Sequence, residues 1–170
     1  MSSLSRVLIL SGTPGVGKTT ISKLLESKGY TVLNINELVL KNGFYYGYDH
    51  SRESVIIDEE FLISYLTDEI IRLNHLLIIE GHTAEIVPKE FIKHAIILRC
   101  NPHILRLRLQ SSRDYPSHKI EENVQAEIMD ECLIKLQENL PPNLITEIDT
   151  TNNSPEQLTK MIELIIKDIG

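Results

Sequence analysis

The stretch that most narrows what this chain can become is GTPGVGKT, residues 12–19. It fits the pattern G-x-x-x-x-G-K-[ST], with an apolar run at 7–10 before it and a helical pattern at 18–27 after it. Each residue type in the pattern has a physical task. Glycines allow the backbone to curl until successive N–H groups face one phosphate chain, and the helix N-terminus adds a favourable partial charge. Lys18 then reaches the β- and γ-phosphates and the Thr19 hydroxyl ligates magnesium. A chance match is the alternative reading, and the strand and helix on the correct sides weigh against it.

Length and composition set the outer bounds. The chain has 170 residues, about one domain, and a domain of this size buries roughly 68–70% of the surface its unfolded chain exposes. Cys100 and Cys132 lie far apart and form no C-x-x-C pair, so neither a disulfide framework nor a structural zinc is expected, and a reducing compartment is the simpler assumption. No segment approaches the ~20 apolar residues of a membrane span, and the N-terminal apolar run is too short for a signal peptide. A soluble, intracellular protein with no membrane partner is expected, cytoplasmic or, in a eukaryote, nuclear. The formal charge of −7 disfavours broad binding to nucleic-acid backbones, because each phosphate contact requires a cation.

Apolar runs alternate with helical patterns along the chain, without repeats or a linker. Strands are predicted at 7–10, 31–35, 76–79, 95–98 and 144–148. Helices are predicted at 18–27, 58–73, 102–110, 119–138 and 155–168. Two helix starts carry explicit signals: Asn101-Pro102, and Ser154-Pro155-Glu156-Gln157, which offers a cap, a proline at the first helical position and a glutamine able to close a capping box. The expectation is an α/β fold of the P-loop type, a single domain spanning 1–170 with a five-stranded parallel sheet flanked by helices. Ligands should then gather at the carboxyl ends of the strands.

LLIIEGHTAE, residues 76–85, ends at that rim. Four apolar residues run into Glu80, and His82 follows two positions later, so a buried strand delivers an acid and an imidazole to the phosphate-binding edge. Glu80 reads as a magnesium-associated carboxylate, or else as a strand-end acid facing solvent. His82 reads as the group that positions or deprotonates an attacking hydroxyl or water, or else as an ordinary turn residue. The Asn-Lys-x-Asp and Asp-x-x-Gly strings expected of guanine-specific GTPases are absent, which makes ATP the expected nucleotide.

Read together, Gly12 to Thr20, Asn34-Ile35-Asn36-Glu37-Leu38, Gly47-Tyr48-Asp49, Glu80-Gly81-His82, Arg108-Leu109, Arg113-Asp114-Tyr115 and Asn123-Val124-Gln125-Ala126-Glu127-Ile128 resemble, in this order, the adenylate kinase isoenzyme 6 family. These are the small nuclear and archaeal adenylate kinase/ATPases, also called coilin-interacting nuclear ATPases. The resemblance covers nearly the whole chain. It implies ATP-dependent phosphorylation of AMP, an ATPase activity with Mg2+, and a role in maturing the small ribosomal subunit through one of its platform proteins. It implies further that Gly15, Val16, Gly17, Lys18, Thr19 and Thr20 hold ATP and that Arg113 closes over its phosphates from a short lid at about 112–122. A monophosphate-binding arm at about 34–57 would present Asn36, Lys41, Tyr48 and Arg52 to AMP. Glu80 and His82 would form the Walker B-like pair, with Thr19 and Glu80 as metal ligands.

Two departures from the family pattern stand out. An arginine is usual soon after the position of Leu38, whereas this chain has Val39-Leu40-Lys41, leaving Lys41 or Arg52 as a looser contact for the AMP phosphate. The lid, Arg108-Leu109-Gln110-Ser111-Ser112-Arg113-Asp114-Tyr115, is one residue longer than usual, so Arg113 is preferred over Arg108 as the closing cation from its neighbours. Tyr45, Tyr46 and Tyr48 read either as a platform for adenine or as packing for the arm. Arg99, Arg106 and Arg108 lie near the lid, with at least one expected in solvent. The acids from Glu121 to Glu131 read as a solvated helix face, and Asp149 as a turn former. Two other functions stay open: an assembly factor that uses ATP as a conformational switch on a protein partner, and a P-loop kinase of another small metabolite.

Overall fold

A computed structural model describes residues 6–112 and 115–170. Strand β1 (Val7–Ser11) leads through the glycine-rich loop into α1 (Lys18–Ser27), and β2 (Thr31–Asn34) runs directly into α2 (Ile35–Asn42). A hairpin of β3 (Tyr45–Asp49) and β4 (Ser54–Ile57) precedes α3 (Glu59–Leu73) and β5 (Leu77–Glu80). Then come β6 (Ile92–Arg99), α4 (Pro102–Ser111), α5 (Ser117–Ile128), α6 (Glu131–Gln137), β7 (Ile145–Asp149) and α7 (Pro155–Ile169). Among the described residues, five strands form one sheet in the order β2-β5-β1-β6-β7, and each of its pairings is parallel.

Because side chains alternate across a strand, each strand feeds two helical layers. Val7, Ile9, Leu77, Ile79, Ala95 and Ile97 face the layer holding Leu38, Leu62, Leu66, Ile70 and Leu136. Leu8, Leu10, Ile78, Ile96 and Leu98 face Ile21, Leu25, Leu105, Val124, Leu158 and Ile162. Burial on both faces explains why these strands read as unbroken apolar runs. The predicted helix starts hold: Asn101 accepts from the His103 backbone N–H at 2.9 Å, and Ser154 and Gln157 form the reciprocal capping box.

Two expectations change. The predicted helix at 119–138 is two helices, α5 and α6, because Asp130 takes a left-handed conformation (φ 55°) while its carboxylate pairs with Arg99. The predicted strand at 31–35 ends at Asn34, whose side chain caps α2 by accepting from the Glu37 N–H at 2.9 Å. The arm at 34–57 therefore starts as a helix and finishes as the antiparallel β3–β4 hairpin. It is fastened to the body by the buried Phe44, whose ring lies 5.5 Å from that of Phe61 and 5.2 Å from that of Tyr65. No helix among the described residues is long and apolar enough to cross a membrane.

His94 is buried in β6 and shares a hydrogen bond of 2.8 Å between Nε2 and Thr146 Oγ1. Burial holds its pKa below the usual histidine value, so below about pH 6.5 the unfolded chain binds more protons than the folded one and stability falls with falling pH. Unfolding free energy measured by urea titration should decline from pH 7.5 to 5.5. The decline should be shallower in His94→Gln, which removes the titrating group; an unchanged slope in that variant would contradict the assignment.

Candidate functional site

The sheet register brings the carboxyl ends of its first three strands level, with Asn34 beside Glu80 and Glu80 beside Leu10. Just beyond Leu10 the glycine-rich loop turns. A β-carbon on Gly12 (φ 143°) would sit 2.5 Å from the Leu98 carbonyl oxygen, so only glycine lets the loop lie this close to β6. Gly17 caps α1 in a left-handed conformation, φ 110°, which glycine adopts without steric cost. Lys18 follows as the first residue of α1. Although its side chain is buried, its Nζ donates to the carbonyls of Gly12 at 2.5 Å and Thr13 at 3.0 Å. Burial lowers its pKa, opposed by the negative fields of Glu80, Cys132 and Glu127. Thr19 and Thr20 stand exposed on the first turn of the helix.

Glu80 is 3% exposed. Burial raises its pKa, while the Lys18 charge and a hydrogen bond from the Asn34 amide oppose that rise. Asn34 thus caps the arm's first helix with one end of its amide and holds Glu80 with the other. His82 lies on the turn after β5. Its pKa is lowered to about 4, first by burial and then by the positive charges of Lys18, Lys135 and Lys119. The imidazole is therefore neutral near pH 7 and can accept a proton or a hydrogen bond. The buried Thr83 hydroxyl next to it has no hydrogen-bond partner among the described residues.

These groups share one cavity of about 1040 Å³. Its floor is the glycine-rich loop with Lys18, Thr19, Thr20, Glu80 and His82; the arm contributes Asn36, Arg52, Glu53 and Ser54; α5 and α6 contribute Lys119, Asn123, Cys132 and Lys135. His118 Nε2 and Glu53 Oε2 approach to 3.2 Å, joining the start of α5 to the hairpin turn. Of the residues predicted to meet a monophosphate, Asn36 and Arg52 line the cavity. Lys41 is exposed near the end of α2, and Tyr48 is half exposed on the hairpin with its ring edge-on to His50 at 5.1 Å; neither contributes to the cavity wall. The remaining predicted cation, Arg113, lies outside the described residues.

Arg99, Arg106 and Arg108 are each held by protein groups, Arg108 reaching the loop itself at the Val16 carbonyl, 3.5 Å. Arg108 donates to the carbonyls of Thr150 at 2.7 Å and Thr151 at 3.2 Å, stitching α4 to the segment after β7. Arg106 pairs with Glu121 at 2.6 Å. Arg99 bridges Glu127 at 2.9 Å, Glu147 at 2.8 Å and Asp130. Glu127 corrects the reading of a solvated acidic face, since it is 4% exposed. Its spacing from Ile120 and Val124, also buried, is the i, i+4, i+7 stripe of a core-facing helix, and that pattern was the available sequence signal.

The oxygen donors suit a hard divalent cation. The Thr19 hydroxyl and Glu80 carboxylate border the same cavity, and among the described residues no group of three or more His, Cys, Asp or Glu is gathered to cage an ion. Thr19 and Glu80 could hold a Mg2+ ion, which is commonly bound by one or two protein oxygens together with substrate phosphates and water.

The sequence is similar to proteins of known families. The sequence model of the AAA domain family matches residues 8–130. A protein of Methanocaldococcus jannaschii named "Putative adenylate kinase" is 40% identical over 161 residues, covering 94% of this chain and 85% of that protein. Proteins bearing the same name from Methanosarcina barkeri and Methanococcus maripaludis are 38% and 35% identical, over 94% of this chain and 85% and 88% of theirs.

The loop geometry predicts an order of sensitivity. Gly12→Ala forces a β-carbon against backbone and should destabilise the protein by at least ~2–3 kcal/mol. Gly17→Ala meets no neighbouring atom and should cost only the ~1–2 kcal/mol of a left-handed non-glycine residue. Urea denaturation of the two variants checks this, and the reverse order would contradict the close approach to Leu98.

Proposed function

The chain belongs to the AAA domain family and to the group of archaeal proteins just compared, and on that premise we propose that it is an ATP-dependent kinase of nucleoside monophosphates. AMP is the proposed acceptor and ATP hydrolysis a second outlet, in the manner of adenylate kinase isoenzyme 6. The observation that carries this reading is the two-sided cavity, in which the phosphate-binding loop and the arm face each other across Lys18, Glu80 and His82. A nucleotide switch needs one phosphate site, whereas a kinase needs a donor and an acceptor at one centre.

The proposed mechanism follows from the resting contacts. Lys18 is held by two carbonyls, and these weaker acceptors give way to the β- and γ-phosphate oxygens of ATP, where the ammonium offsets charge that develops on the transferring group. The loop N–H groups and the start of α1 bind the remaining phosphate oxygens. Asn36 and Arg52 orient the acceptor from the arm, Arg52 through a side chain only loosely tied to Asp49 at 4.0 Å. Neutral His82 accepts a hydrogen bond or proton from the attacking oxygen, that of AMP in transfer or of water in hydrolysis. Thr19 and Glu80 would hold Mg2+, which supplies charge neutralisation at the phosphates. Arg113 is proposed as a further phosphate contact.

The acidic chain, net −7, also suits a basic partner. The isoenzyme 6 resemblance directs that proposal to a platform protein of the small ribosomal subunit, with this chain covering a cationic surface that otherwise meets RNA. Such a complex should weaken with salt and compete with RNA in a pull-down. Failure to bind that protein at low salt would remove the ribosomal role and leave the kinase reading intact.

The test of the kinase is ADP formation from ATP with and without AMP. The wild type should respond to AMP. Lys18→Ala should lose on the order of 10²–10³-fold in turnover with the fold retained, and His82→Ala about 10²–10⁴-fold with ATP affinity little changed. A wild type indifferent to AMP, or a Lys18→Ala variant as active as the wild type, would overturn the reading.

A further inference from the structure

The buried carboxylate of Glu127 lies one residue away from the nucleotide chemistry. Its Oε2 accepts from the Thr13 hydroxyl at 2.5 Å, and its Oε1 accepts from Arg99 Nε at 2.9 Å and from the Cys100 backbone N–H at 3.0 Å. Thr13, itself 1% exposed, is the second residue of the phosphate-binding loop. Its carbonyl accepts from Lys18 Nζ at 3.0 Å and from the Val16 N–H at 3.3 Å. The same residue thus gives its hydroxyl to α5 and its carbonyl to the lysine.

We propose that Glu127 is a positioning residue, fixing Thr13 and through it the loop backbone and Lys18 in the arrangement that receives a nucleoside triphosphate. The inference rests on the phosphate-binding role assigned above. Three features support it. A carboxylate excluded from water is costly unless its lone pairs are filled, and here three donors from two segments, the phosphate-binding loop and the end of β6, fill them. The hydroxyl of Thr13 has no freedom to serve solvent, so its rotamer is set by Glu127 and the loop is pinned at its second residue. Finally, α5 itself lines the cavity with Lys119 and Asn123, so one carboxylate ties the phosphate floor to the facing wall.

Arg99 completes the arrangement from behind. It joins Glu127 to Asp130 at the α5–α6 junction and to Glu147 on β7. These pairs hold the C-terminal end of α5 against β6 and β7. The guanidinium and carboxylate act on the substrate only through Thr13.

Thr13→Val removes the hydroxyl and leaves the Glu127, Arg99 and Cys100 contacts in place, whereas Glu127→Gln disturbs the ion network and serves as the second variant. Mg-ATP binding by titration calorimetry, steady-state kinetics and thermal unfolding are measured on the full chain. Thr13→Val is expected to lower the unfolding midpoint, because Glu127 Oε2 loses its donor, and, at a temperature where the variant stays folded, to weaken ATP binding and raise KM for ATP at least about tenfold. Thr13→Ser, which restores the hydroxyl, should recover wild-type values. Glu127→Gln should show the same loss in ATP affinity beyond any change in stability. Wild-type binding that persists undiminished in Thr13→Val overturns the positioning role alone. Absence of Mg-ATP binding in the wild type overturns the phosphate-binding reading and this inference together. An affinity loss in Thr13→Val that serine does not rescue also rejects it, as a consequence of packing.

Discussion

Everything at the candidate site depends on a lysine ammonium kept out of water. Burying an unpaired cation is among the most costly things a fold can do, and Lys18 is buried with two loop carbonyls as its hydrogen-bond acceptors among the described residues. Its charge is balanced at longer range by Glu80 and Glu127. The surroundings therefore hold a cation that polyanionic phosphate oxygens satisfy better than the protein's own dipoles do. The parallel sheet is the means of achieving this, because β1 and β5 end side by side and deliver the loop and Glu80 to the same edge.

The same economy joins the arm to the site. Asn34 ends β2, caps α2 and donates to Glu80, so the orientation of the acceptor side is set by the residue that touches the proposed metal-binding carboxylate. On the opposite wall, Glu127 relates α5 to the loop through Thr13. His82 lines the same cavity, neutral because burial and then three lysines act against its protonation.

How much of this was legible depends on whether a short local pattern encodes it. The phosphate loop was, since glycine spacing and a following lysine leave few alternatives, and the strands were, since burial on both faces yields unbroken apolar runs. The β3–β4 hairpin was not: Tyr45, Tyr46 and Tyr48 are substantially exposed, so its strands lack the apolar alternation of a buried face. The break between α5 and α6 depends on Asp130 meeting Arg99, a residue 31 positions away, and no helical periodicity records such a partner. Glu127 lies between these cases. Its stripe with Ile120 and Val124 marked it as inward facing, but the donors that make burial of its carboxylate tolerable come from residues 13, 99 and 100. Lys41, read from its motif position as a loose phosphate contact, stands exposed near the end of α2.

The central claim is that donor and acceptor phosphates meet around Lys18 in one cavity. A compound of two adenosines joined by a pentaphosphate chain tests it most directly, by titration calorimetry with Mg2+ against ATP and AMP separately. The account predicts one compound per chain, affinity exceeding that of either nucleotide alone, displacement by both, and loss of binding in Lys18→Ala. Affinity no greater than that for ATP, with AMP unable to displace the compound, would contradict it.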